Sequence, residues 1–210
     1  MRILFTDIMQ MERLVRQAFA NGLSGFRPAV LVGTANAAGQ TNLALFNSLT
    51  HIGANPPYLG LLFRPTTVAR HTYDNIRRRG QYTINHVPPA MVQRAHQTSA
   101  KYPAEISEFD ACGFTPQYTP LLSAPYVEES SIKIGLEYVE EYLIEVNNTI
   151  LLIGKVLEVL LPEAAMLASG HINMEEWGST AVNGLDTYYS AERLIRLGYA
   201  RPGQQPESMV

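Results

Sequence analysis

Cysteine is almost missing from this sequence: the single thiol, Cys112, excludes a disulfide within the chain and fits a reducing compartment. Charge is scarce too. Charged side chains make up 17% of the residues and nearly cancel, to a formal −3, so nothing builds the basic face that nucleic acid or an anionic membrane requires. No apolar run approaches the ~20 residues of a membrane span. The opening MRILFTDIMQMERL lacks the long apolar core of a signal peptide, which makes cytoplasmic the default expectation. The five histidines do not cluster at metal-binding spacings, and neither Cys-x-x-Cys nor His-Glu-x-x-His occurs. GANPPYLG and GHINMEEWG contain glycines, but neither opens a helix after a parallel strand, so a Rossmann dinucleotide site is excluded.

What is present is an ordinary globular composition, 46% apolar over 210 residues, enough to bury one sizeable core. One domain is expected over residues 1–210. It divides into an N-terminal helix at about 7–21, a body at about 28–161 and a C-terminal extension at about 162–210. In the first segment Ile8, Met11, Val15, Ala18 and Phe19 form one helical stripe, Asp7 is the expected N-cap, and Asn21-Gly22 the stop.

From Arg27 onward the pattern is that of strands. Ala29–Thr34 and Thr41–Phe46 form a hairpin around the turn 36–39, Tyr58–Phe63 follows a Pro-Pro stop, and Gln81–Val87 follows a helix at His71–Arg79 closed by Gly80. A short helix is expected at 90–98, then a long loop to about 125. Residues 130–147 alternate at period two, with Ile132, Ile134, Leu136, Tyr138, Tyr142, Ile144 and Val146 on one face and Lys133, Glu137, Glu141 and Glu145 on the other. That predicts a long strand, turned at Asn147-Asn148-Thr149 into a second one at Ile150–Leu161. A brief helix at 162–168, another near 190–197 and a frayed tail complete the reading. Several strands without a βαβ rhythm predict a mainly β fold with peripheral helices, in the form of an antiparallel barrel.

The stretch from Asn42 to Asn85 carries the chemistry. Asn42, Asn47, Ser48 and Thr50 sit at the end of an apolar run, and Arg64, Arg70 and Thr72 stand directly before or at the start of a helix. Hydroxyls, amides and guanidiniums at a helix start suit a phosphate, because the first turn offers unpaired N–H groups and a positive dipole end. The bland alternative is an exposed arginine and a helix-capping threonine. Arg77-Arg78-Arg79 reads as a solvated helix end. His51, His86 and His96 are candidate hydrogen-bond donors to a cofactor or substrate, although structural histidines are commoner. Tyr102, Phe109 and Trp177 are candidate stacking rings, although packing aromatics are commoner.

Three segments, NLALFNSLTHIGANPP, RHTYDNIRRRGQYTIN and the weaker EISEFDACGF, together resemble the flavin reductase-like family of the FMN-binding split-barrel fold. The resemblance implies a Greek-key split β-barrel acting as a homodimer, with FMN near the subunit interface. It implies that Asn47, Ser48, Leu49 and Thr50 line the isoalloxazine and ribityl chain, and that Arg70 and Thr72 hold the phosphate, with Phe63 and Arg64 adjoining. The family often has Lys-Asp where this chain has Arg70-His71. Electrons would pass from NADH or NADPH through FMN to a flavin, a metal complex or a protein. The alternatives are an FMN electron carrier without nicotinamide turnover, oxidation of pyridoxamine phosphate with FMN, and a cofactor-free interaction module. No catalytic acid, base or nucleophile is implied.

Overall fold

The computed structural model describes residues 1–209. The N-terminal stripe resolves into two helices, α1 (Phe5–Gln10) and α2 (Arg13–Gly22), rather than one. Asp7 is not an N-cap: it is the third residue of α1, and its carboxylate accepts from the Leu4 N–H at 2.8 Å. Glu12 interrupts the run because its extended backbone lets its own carboxylate cap α2, accepting from the N–H groups of Leu14 and Val15. Neither helix buries a residue completely.

A short strand β1 (Arg27–Pro28) leads into β2 (Val30–Ala35) and β3 (Thr41–Phe46). The hairpin turn between β2 and β3 is held by Asn36 Oδ1, which accepts from the N–H groups of Ala38 and Gln40. An unexpected strand, β4 (Leu49–Ala54), pairs with β5 (Pro57–Phe63), so the Asn-Pro-Pro stop is a hairpin turn. Helix α3 (His71–Arg79) ends at Gly80, whose φ of 71° gives the left-handed cap that glycine supplies most easily. Strand β6 (Gln81–His86) follows, then helix α4 (Val92–Gln97). The long loop contains a helix, α5 (Glu108–Cys112), capped by the Ser107 hydroxyl, and the short antiparallel pair β7 (Pro116–Gln117) and β8 (Tyr126–Val127).

The two long strands, β9 (Lys133–Ile144) and β10 (Thr149–Leu160), form the expected hairpin, though not with the expected faces throughout. Val139 is an extra residue between Tyr138 and Glu140 in the β9 register, and this bulge inverts the alternation after it. Tyr142, expected inside, is consequently exposed. Lys133, expected on the solvent face, is buried because the 116–129 segment folds over it: its ammonium donates to Gln117 Oε1 at 2.7 Å and to the Glu128 carbonyl at 3.2 Å.

These strands make one antiparallel sheet in the order β3-β2-β6-β9-β10-β5-β4. Its two edges, β3 and β4, are successive in the chain and joined only by Asn47 and Ser48. The three backbone steps from Phe46 to Leu49 span at most about 11 Å, so the sheet has to curl until its edges approach, which closes a split β-barrel at those two residues. Val30, Val32, Leu61, Tyr82, Ile84, Leu136 and Leu152 fill the barrel interior with Ile76 of α3. A second core lies outside it, where Leu31 and Leu43 pack under Ala95 of α4 and Phe109 and Cys112 of α5.

The C-terminal part departs most from the sequence reading. No helix forms at 190–197 among the described residues. The extension instead has a brief helix α6 (Met174–Trp177) and strands β11 (Ala181–Asn183) and β12 (Thr187–Tyr189), which join β1 in a small sheet. The tail is not frayed through residue 209: Gly198 and Met209 donate backbone bonds to Glu207 and Arg196.

Candidate functional site

The barrel seam is where the predicted residues converge. Ser48 Oγ donates to the Leu62 carbonyl at 2.8 Å, pinning the seam against β5 one residue before Phe63 and two before Arg64. Asn47 Nδ2 donates to the Gly184 carbonyl at 2.8 Å, which anchors the C-terminal extension on the same seam. Leu49 is half-buried against the barrel core, and Thr50 is exposed on β4 opposite Gly60. The strip is therefore an open surface with a hydroxyl, backbone groups and an apolar floor.

Phe63 itself belongs to that floor. It is buried, with its ring edge-on to Phe46 at 5.1 Å and to Tyr73 of α3 at 5.5 Å, which ties α3 to the seam. Arg64 is exposed at the end of β5. Arg70 is the N-cap residue of α3 and half-buried, its Nε reaching the Pro65 carbonyl at 3.4 Å. Neither guanidinium forms an ion pair among the described residues. An unneutralised Arg70 beside the unpaired N–H groups of a nine-residue helix is a chemically suitable seat for a phosphate, and Arg64, at the end of β5, is a second free cation.

Thr72 is not a helix-capping residue. It is the second residue of α3 and is buried, its hydroxyl accepting from Asn42 Nδ2 at 3.0 Å while keeping its own proton to donate. Asn42 and Asn75 also both donate to Thr34 Oγ1, at 3.3 and 3.1 Å. This buried amide–hydroxyl network joins β2, β3 and α3, and sequence reasoning missed most of it. The available signal was Asn42 itself, a poor strand former inside an otherwise apolar strand.

The remaining candidates separate. Phe109 is fully buried in the outer core and therefore packs rather than stacks on a ligand. The Tyr102 hydroxyl accepts from Gln97 and lies 3.7 Å from the Cys112 sulfur, and burial raises the Cys112 thiol above its ordinary range, the opposite of a reactive thiolate. His96 Nδ1 pairs with the Tyr188 hydroxyl at 2.8 Å. His51 is exposed on β4. His86 is buried with Nδ1 unpaired, and desolvation pushes its pKa down to about 4, so it is neutral at pH 7. Arg77 bonds the Tyr138 hydroxyl and lies 3.7 Å from Glu141, as a solvated helix end would.

A split β-barrel closed at an Asn-Ser seam, with a free arginine at the neighbouring helix start, has the form of a barrel suited to a small phosphate-bearing ligand. Residues 23–176 match the model of the flavin reductase like domain, and the chain belongs to that family. A split-barrel protein of Shewanella frigidimarina NCIMB 400, described as a flavin reductase, is 41% identical, covers 95% of this chain and 100% of its own, and superposes with a TM-score of 0.92. Nitrilotriacetate monooxygenase component B of Bacillus cereus is similar at 20% identity, 94% and 98% coverage and a TM-score of 0.81. Flavoredoxin of Desulfovibrio vulgaris (Miyazaki F) follows at 22% identity, 85% and 92% coverage and a TM-score of 0.71. The last two likenesses concern the fold.

Proposed function

We propose that this protein is an FMN-dependent oxidoreductase that passes electrons from a reduced nicotinamide to a flavin, a metal complex or a protein acceptor. The observation that carries the reading is two guanidiniums without ion-pair partners, Arg64 at the end of β5 and Arg70 at the start of α3, on the elements that flank the Asn47–Thr50 seam, in a chain of the flavin reductase like family. The donor set fits FMN: cations and helix N–H groups for its phosphate, and a polar strip over an apolar floor for its ribityl chain and ring. When bound, FMN supplies the hydride-accepting and electron-relaying chemistry.

The chain's own task in this reading is positioning. Arg70 and Arg64 neutralise the phosphate, Ser48 holds the seam to β5, and the backbone of Leu49 and Thr50 offers hydrogen bonds along the ring edge. The strip is open to solvent on one side, so a second copy of the chain is the natural cover. Exposed apolar side chains on α1 and α2, just before β1 and in the tail, among them Phe5, Leu14, Phe26, Leu194 and Tyr199, supply what a homodimer would bury. The functional unit is then the whole chain, twice, in a reducing compartment such as the cytoplasm, where Cys112 stays a thiol. No helix among the described residues is long and apolar enough to cross a membrane.

The test is the visible spectrum of the purified protein before and after anaerobic NADH and then NADPH. Flavin bands that bleach with either nicotinamide are the expected result and identify the donor. Bands that persist would leave FMN in an electron carrier reduced by another protein. Absence of flavin bands after FMN is supplied would overturn the cofactor assignment.

A further inference from the structure

We propose that the cleft between α3 and the β2–β3 hairpin binds a small zwitterion, a free amino acid or a molecule carrying the same ammonium and carboxylate pair. The cleft has a volume of about 190 Å³, below the ~300–1,000 Å³ of pockets that take drug-sized ligands. Its floor is made by Asn42 and Asn75, each only 8% exposed. The hydrogen bonds these two asparagines make inside the protein all run through Nδ2, to Thr34 and Thr72. Their amide oxygens accept none, and both side chains line the cleft. Both oxygens are open to the cleft rather than sealed inside the protein, so a ligand there can take the place of water as their donor.

One wall is the face of α3 made by His71, Asp74 and Arg78, at i, i+3 and i+7, with Asn75 beside them. Asp74 and Arg78 are four residues apart, the spacing at which helix neighbours pair. They do not pair: the ion pairs among the described residues lie elsewhere, and neither side chain makes one. Both charges stand free at the same cleft. Ile106, on the loop opposite, gives an apolar patch for a short side chain.

The charge pattern selects the ligand class. A lone anion would meet the Asp74 carboxylate and two amide oxygens. A lone cation would meet the Arg78 guanidinium. A molecule with both ends satisfies each group: the ammonium donates to the amide oxygens of Asn42 and Asn75 and to Asp74, and the carboxylate accepts from Arg78. Neither Arg64 nor Arg70 lines this cleft.

The test is calorimetric titration of the purified protein with each proteinogenic amino acid, and, for the tightest, with the amine and the carboxylate that each carry only one of its ends. The expected result is saturable binding of at least one amino acid, with both one-ended analogues weaker by about tenfold or more. Asp74→Asn and Arg78→Gln, changes to side chains that make no ion pair in the fold, should each weaken binding by a similar factor with little change in melting temperature. NMR gives a second readout: the side-chain amide resonances of Asn42 and Asn75 should move on titration. No saturable binding by any amino acid at millimolar concentration would overturn the proposal. Binding that ignores both substitutions, or that leaves both asparagine amides unmoved, would overturn it equally.

Discussion

Asn42, in strand β3, donates its side-chain N–H to the Thr72 hydroxyl at 3.0 Å, and so fixes the second residue of α3 against the barrel wall. That single bond joins two places with different chemistry. On one side lie Arg70 and the seam; on the other lies the cleft floored by Asn42 and Asn75. Thr72, expected to face a phosphate, is also part of the frame that orients the helix start.

Arg70 and Thr72 should therefore respond differently to mutation. Arg70→Ala removes a cation that the fold does not use in an ion pair, and should weaken FMN by about tenfold or more with little change in stability. Riboflavin, which lacks the phosphate, should bind Arg70→Ala and the parent equally. Thr72→Val keeps the shape but removes the acceptor of Asn42 Nδ2, and should cost about 1–2 kcal/mol of stability. Fluorescence titration with the two flavins and urea unfolding check the pair. Equal weakening of FMN and riboflavin by Arg70→Ala would remove the phosphate role.

His86 predicts how stability changes with acid. Its folded pKa of about 4 lies below the 6.5 of an unfolded chain, because burial penalises the imidazolium. Between those values the unfolded state binds a proton that the folded state does not. Its contribution to stability is thus complete above about pH 6.5 and is lost as pH falls toward 4, by at most about 3 kcal/mol. Urea midpoints measured across that window should fall more steeply for the parent than for His86→Gln. The difference between the two slopes is the readout, since other groups titrate in both proteins.

The elements bounded by local turn and cap signals were the legible ones. β3 and α3 match their predicted ranges because Thr41–Phe46 and His71–Arg79 are bounded by local signals, the Asn36–Gly39 turn and Gly80. β4 was hidden because Thr50, His51 and Ile52 all face solvent, leaving no period to read. The inversion at Val139 was hidden for another reason: a bulge is a property of two paired strands, and neither strand shows it alone. At the site, Arg64, Arg70 and Ser48 could be named from residue type and order. The network through Thr34, Asn42 and Asn75 could not, because it joins residues up to 41 positions apart whose hydroxyls and amides look like surface groups in a sequence.

The exposed apolar side chains predict a mass in solution. Phe26 and Leu194 are 66% and 95% exposed, on the N-terminal and C-terminal segments respectively. Light scattering at micromolar concentration should give a dimer. Phe26→Glu and Leu194→Glu should each shift it toward monomer and loosen FMN, if the second copy covers the seam. A monomer in the unmodified protein would remove the dimer from the proposed function.

Tyr82 and Gly154 test the packing of the barrel interior. The Tyr82 hydroxyl is completely buried and has no hydrogen-bond partner, and burial raises its pKa well above the ordinary phenol range. It points at Gly154 of β10, where a methyl group would meet the hydroxyl oxygen at 2.0 Å. Glycine is needed there because of that oxygen: Gly154 lies beside the Val139 bulge, but its own φ is outside the left-handed region that favours glycine. Tyr82→Phe removes an unsatisfied polar atom, and should leave stability unchanged or raise it by about 1 kcal/mol. Gly154→Ala alone should cost about 1–3 kcal/mol by overpacking. In the Tyr82→Phe background the same alanine should cost clearly less, because the ring no longer carries the oxygen that blocks it. A double-mutant cycle in urea measures this as a coupling energy between the two positions. Strict additivity would mean that the clash is relieved by backbone movement, and that the hydroxyl does not set the identity of residue 154.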